Sequence, residues 1–161
     1  MIEKFFYEHP VFRFEEFAKW KKDNASDTET AVYQSIHYYI QTKRIIRIKK
    51  ALYAVIPPNE TEESVSVDPY LIAGKASEDS VLGFHTAMEL YGMAYSVFQQ
   101  FYFLSQQKIK PFIFSDQYFQ PVSLSKNLLK ADKQQLEVDV INREGVNIKI
   151  TSIERTFVDV L

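Results

Sequence analysis

The sequence predicts an α+β protein in two parts, a small helical unit closed by a basic hairpin and a larger unit that mixes helices with a sheet. Three observations carry that expectation. Residues 43 to 50 hold five basic side chains and no acidic one, in a chain whose formal net charge is -2. The segment Pro57-Pro58-Asn59-Glu60-Thr61-Glu62-Glu63-Ser64 is polar, acidic and proline-led, and it lacks apolar periodicity, as a linker does. Charge divides at the same place: positions 1 to 56 carry ten Lys or Arg against seven Asp or Glu, and positions 57 to 161 carry nine against fourteen. The expected domains are 1-58 and 65-161.

In the first part, Phe14, Phe17, Ala18 and Lys21 recur at helical spacing and Trp20 adds an apolar contact, which predicts an amphipathic helix over residues 13 to 22. Asn24 to Asp27 interrupt it. Ser26-Asp27-Thr28-Glu29 has the spacing of a capping box, so a second helix is expected from about Asp27 to Thr42. Its buried row is Val32, Ile36, Tyr39 and Ile40; its other side presents Thr30, Gln34, His37, Tyr38 and Gln41 and ends beside Lys43 and Arg44. Ile46 and Ile48 then alternate with Arg47 and Lys49, and Leu52 to Ile56 returns around Lys49-Lys50-Ala51. That alternation is expected to bury the isoleucines and leave the cations near solvent. Two helices followed by a basic hairpin describe a small winged helix-turn-helix domain.

From Val65 the signals alternate between helix and strand. Asp68-Pro69-Tyr70-Leu71-Ile72-Ala73 predicts a short helix with proline in its first turn, and Asp79 or Ser80 is expected to cap another that runs through Tyr91 to Gly92. Strands are expected at Phe101 to Ser105, Pro111 to Ser115 and Phe119 to Ser123. Gln135 to Asn142 and Val146 to Thr151 read as a hairpin around Arg143-Glu144-Gly145. After Thr151, Ser152 caps a last helix on which Ile153, Phe157 and Leu161 share a face. Because no stop follows that apolar turn, the second domain is expected to be incomplete or covered by a partner.

At 161 residues, folding buries roughly two thirds of the surface that the unfolded chain exposes, and 13 Phe and 10 Tyr supply the apolar content. The lack of cysteine excludes disulfides, thiol catalysis and thiolate metal sites. His9, His37 and His85 lack metal-ligand spacing, and no cofactor is expected. Glu3 and Glu8 break up the aromatic start, which has no apolar run of signal-peptide or membrane length. The expected location is the cytoplasm, without a membrane partner.

The chemistry favours double-stranded DNA. A helix fits the major groove, where Gln34, His37 and Gln41 reach base edges and Tyr38 or Thr30 a phosphate. Arg47, Lys49 and Lys50 on the hairpin neutralise phosphates or follow the minor groove. The competing reading is that these cations merely solvate a sheet edge. Since about five cations give modest affinity, a homodimer on DNA is expected. No enzyme is expected: Glu15-Glu16 and Glu62-Glu63 are adjacent carboxylates that point apart, and His85 has no neighbours that complete a catalytic set. Glu154 complements the positive end of the last helix, and Arg155 with Asp159 forms an ion pair tying it to the sheet. A metal-dependent nuclease or transferase would need Asp139, Glu154 and Asp159 to converge.

The order of motifs resembles the AbiEi family of antitoxins, transcriptional regulators of abortive-infection (type IV toxin-antitoxin) systems. The pieces are Phe14-Glu15-Glu16-Phe17, Arg47-Ile48-Lys49-Lys50-Ala51-Leu52-Tyr53-Ala54-Val55, Asp68-Pro69-Tyr70-Leu71-Ile72-Ala73, Phe84-His85-Thr86-Ala87-Met88-Glu89-Leu90-Tyr91-Gly92, and Ile150 before Thr151-Ser152-Ile153-Glu154-Arg155-Thr156-Phe157-Val158-Asp159. The resemblance implies a winged helix, over residues 28 to 53 for its DNA element, that binds the protein's own promoter. It also implies an antitoxin region from about Val65 that counters a nucleotidyltransferase toxin; His85, Glu154, Arg155 and Asp159, read above from their local chemistry, are expected to be structural residues of that domain. Ala51 departs from the pattern, which often has glycine there, so a turn that needs positive φ is strained at this position. A winged-helix interaction module, or a regulator without antitoxin activity, is the alternative.

Overall fold

A computed structural model describes residues 1–95, 99–127 and 136–161. The fold is mixed α+β, with six helices and two sheets among the described residues. The chain divides into two compact units, Met1–Val67 and Asp68–Leu161. No helix among the described residues is long and apolar enough to cross a membrane.

The first unit runs α1 (Ile2–Glu8), β1 (Val11–Arg13), α2 (Phe14–Ala25), α3 (Glu29–Gln41), β2 (Ile45–Lys49) and β3 (Leu52–Val55). Its antiparallel sheet has the order β1-β3-β2. Phe5 and Phe6 of α1, Phe12 of β1, Phe17 of α2, Val32 and Ile36 of α3, and Ile45 and Tyr53 of the hairpin form one core. Phe5 meets Phe12 and Phe17 edge-on, each with ring centroids 5.2 Å apart. Burying each such ring contributes about 1.5–3 kcal/mol, and an edge-on pair adds about 0.5–1.5 kcal/mol.

Several local expectations are corrected. Neither α1 nor β1 was expected, because seven and three residues are too short to display a period. α2 continues past Lys22 to Ala25: the Asn24 amide donates to the Trp20 carbonyl at 2.8 Å instead of breaking the helix. Ser26 is not a cap for α3. It closes α2 in the left-handed region at φ 52, and Thr28 caps α3 by accepting from the Ala31 amide at 3.3 Å. The hairpin register shifts between Arg47 and Lys49, so Ile45 and Ile48 are buried while Ile46 is only half-buried. Such a bulge breaks strict two-residue alternation.

The second unit runs α4 (Pro69–Gly74), β4 (Val81–Leu82), α5 (Phe84–Leu90), β5 (Gln100–Ser105), β6 (Phe112–Phe114), β7 (Gln117–Ser123), β8 (Val138–Arg143), β9 (Val146–Thr151) and α6 (Ile153–Val160). The sheet order is β6-β7-β5-β4-β9-β8, parallel at β5/β7 and β4/β9 and antiparallel elsewhere. Leu71, Ile72, Leu82, Phe103, Phe119 and Ile150 are fully buried. The expected helix from Asp79 or Ser80 is replaced at its start by β4, which pairs with both β5 and β9, and α5 begins only at Phe84. Two residues held between two strands carry no periodic signal. The Gln135 end of the expected hairpin lies outside the described residues. Its turn forms as expected: Glu144 and Gly145 have φ of 51° and 80°, the double left-handed turn that matches strand twist.

Candidate nucleic-acid interface

α3 separates its two faces sharply. Val32 and Ile36 enter the core and Tyr39 and Ile40 are half-buried, whereas Thr30, Gln34, His37, Tyr38 and Gln41 are all exposed. Among the described residues, no side-chain hydrogen bond or ion pair engages Thr30, Gln34, His37 or Gln41. Tyr38, 58% exposed, makes an edge-on contact with Tyr39. A polar row without internal partners leaves its donors and acceptors for an external ligand.

Tyr33 belongs to the same face, although it is not among the residues expected there. It is 55% exposed, and its ring stacks on Phe14 with centroids 4.4 Å apart, which fixes α3 against the start of α2. Its spacing of three from Thr30 and four from His37 was the available signal.

The hairpin of β2 and β3 follows α3 in the chain. Arg47 and Lys50 are exposed, while Lys49 is half-buried. Burial pulls the Lys49 ammonium below its ordinary pKa, and the Glu15 carboxylate partly restores it. Burial pushes the Tyr53 phenol up; Arg47 opposes that shift, and Tyr33 and Glu15 reinforce it. Tyr33, Arg47, Lys49 and Tyr53 therefore share one electrostatic neighbourhood with Glu15.

Ala51 sits in the turn at φ 62, the left-handed conformation that the sequence flagged as strained for a residue with a Cβ. Its carbonyl accepts the Phe14 amide at 2.9 Å, so the turn is tied to the first residue of α2. The remaining expected cations are engaged internally. Lys43 follows the Thr42 cap of α3 at φ 56, and its Nζ lies 3.5 Å from Glu62 Oε2. One guanidinium nitrogen of Arg44 donates to both Glu3 oxygens at 2.7 and 2.8 Å, with the cation 5.4 Å from the Phe6 ring centroid. Arg44 thus joins the residue before β2 to α1, and a phosphate would have to compete with Glu3 for it.

In the second unit, His85 Nε2 lies 3.2 Å from Glu89 Oε1, and the other Glu89 oxygen accepts from the Tyr70 hydroxyl at 3.0 Å. Burial, then the bond and charge of Glu89, push the Tyr70 phenol up to about 12. Ser152 caps α6 by accepting from the Arg155 amide at 3.2 Å, and Glu154 is exposed in the first turn. Buried Arg155 places Nε 3.4 Å from Asp159 Oδ2 and donates from Nη1 to the Leu136 carbonyl at 2.8 Å. This is an internal brace of α6. Asp68, which caps α4, also pairs with Arg143, whose cation lies 4.6 Å from the Tyr70 ring centroid, a link between residues 75 apart that leaves no local pattern.

Among the described residues, no group of three His, Asp or Glu side chains is placed to hold a metal ion, so Asp139, Glu154 and Asp159 do not converge as a metal-dependent reaction would need. No protein-family model matches the chain, and no curated protein matches it closely enough to be called a relative.

Proposed function

We propose that the first unit is a winged helix-turn-helix domain that binds double-stranded DNA in the cytoplasm, and that the chain is an autorepressing antitoxin of the AbiEi kind it resembles. One observation carries the DNA reading: α3 exposes a polar row without side-chain partners, and the hairpin that follows it exposes Arg47 and Lys50. The order helix-strand-helix-helix-strand-strand, with the sheet order β1-β3-β2, supports the winged-helix reading. α3 enters the major groove, where the Gln34 and Gln41 amides have the donor and acceptor pair that matches adenine. Thr30, Tyr33 and Tyr38 hydroxyls reach phosphates, and Arg47 and Lys50 neutralise them. With so few free cations, a homodimer supplies the rest of the affinity.

The antitoxin half rests on the resemblance, and it implies a nucleotidyltransferase toxin as partner. The exposed apolar side chains Ile153, Phe157 and Val158 of α6 support a protein contact in the second unit, and they equally suit the alternative of an interaction module without antitoxin activity. Fluorescence anisotropy of the full chain on duplex DNA from its upstream promoter tests the first half: saturable, salt-sensitive binding is expected, and absent or salt-insensitive binding overturns it. Co-expression with a neighbouring nucleotidyltransferase tests the second, with restored growth expected and unrelieved toxicity against it.

A further inference from the structure

The surface that would meet phosphates contains a carboxylate. Phe14 donates its amide to the Ala51 carbonyl at 2.9 Å, and its ring stacks 4.4 Å from Tyr33. Arg13 pairs with Leu52 across the sheet. The start of α2 is therefore clamped between the hairpin turn and α3, and the next residue, Glu15, is exposed there. A helix N-terminus directs amides and a positive dipole end outward, a setting that ordinarily attracts phosphate. In α2 that end already carries Glu15 and Glu16 in its first turn, and Glu16 Oε2 accepts the Arg13 amide at 2.8 Å. Glu16 is thereby spent on the helix. Glu15 has no such bond, and its charge reaches across to Lys49 and Tyr53 of the hairpin.

Resting on the DNA-binding reading, we infer that Glu15 limits affinity for the duplex: its negative charge, held beside the hairpin, repels the backbone of any sequence. Non-specific affinity comes almost wholly from phosphate contacts, so a carboxylate among them weakens every sequence alike. Base contacts by Gln34 and Gln41 offset that repulsion only at the right site. Glu15 thereby sets how much base-contact energy a site must supply before the duplex is held, without touching a base.

The test uses the full chain and measures anisotropy on the promoter duplex and a scrambled duplex across a salt series, with wild type, Glu15→Gln and Asp23→Asn. Asp23 is an exposed acid near the other end of α2, so its variant makes the same change in net charge away from the turn. Glu15→Gln should tighten scrambled-duplex binding about fivefold, the size of one nearby unit charge in a watery setting. It should tighten the promoter duplex by a similar factor and steepen the salt dependence, while Asp23→Asn changes little. If wild type binds but Glu15→Gln leaves scrambled binding unchanged or weaker, the role of Glu15 is overturned and DNA binding stands. Equal tightening by Asp23→Asn also overturns it, because net charge alone would then explain the effect. If no variant binds either duplex, the DNA-binding reading falls and this inference falls with it.

Discussion

Replacing Ala51 by glycine isolates the strain in the hairpin turn. At φ 62 the Ala51 Cβ crowds its own backbone, which costs an L-residue about 1–2 kcal/mol. Glycine removes that cost but gives the unfolded chain more freedom, a loss of about 0.4–1 kcal/mol, and it forgoes a half-buried methyl. The balance is a stabilisation of about 0.5–1 kcal/mol. In a unit of this size that raises the melting temperature by about 2–8 °C. Far-ultraviolet circular dichroism during heating, with urea titration to confirm the sign, reads the change. Gly145→Ala is the mirror control, since Gly145 holds φ 80 in the other hairpin and its variant should lose about 1 kcal/mol. A clear destabilisation by Ala51→Gly would refute the strain argument. It would mean that the methyl contributes more by packing than the left-handed backbone costs.

A Cβ on Gly74 would lie 2.8 Å from Cγ2 of Ile148, so Gly74→Ala should destabilise by about 1–3 kcal/mol in urea unfolding, and adding Ile148→Ala should give a sub-additive loss. Burial alone would raise the Asp79 pKa, but hydrogen bonds from Ser105, the Gln106 amide and Ser77 together hold it below the ordinary value. A depressed carboxyl stabilises above its unfolded pKa and loses that contribution as pH falls through the lower folded pKa. The acid limb of a stability-against-pH curve should therefore flatten in Asp79→Asn. Arg47→Ala with Lys50→Ala should weaken anisotropy-measured binding to every duplex and reduce the logarithmic salt slope by about 2, with a smaller effect from half-buried Lys49.

The parts legible in the sequence were those with a long period or a fixed local chemistry. α3 spans 13 residues, enough for its buried and exposed rows to separate, and the Asp68 cap, the Glu144-Gly145 turn and the Ser152 cap each act within a few residues. What escaped was decided at a distance. α1 and β1 are held by aromatic packing from other elements, and β4 takes both its partners from strands distant in sequence. The α3 row is visible as periodicity, but the removal of Arg44 by Glu3 spans 41 residues and has no local trace. Glu15 was legible as a charge and illegible as a neighbour of the hairpin, because that proximity depends on the Phe14 to Ala51 hydrogen bond.

Amide chemical-shift mapping of the full chain, titrated with its promoter duplex, locates the DNA-binding surface residue by residue. Shifts should concentrate in residues 30–41 of α3 and 47–51 of the hairpin, with smaller changes at the start of α2 and little in residues 68–161. Saturable binding with its shifts confined to the second unit, or to the Glu3 and Arg44 side of the first, would contradict that placement.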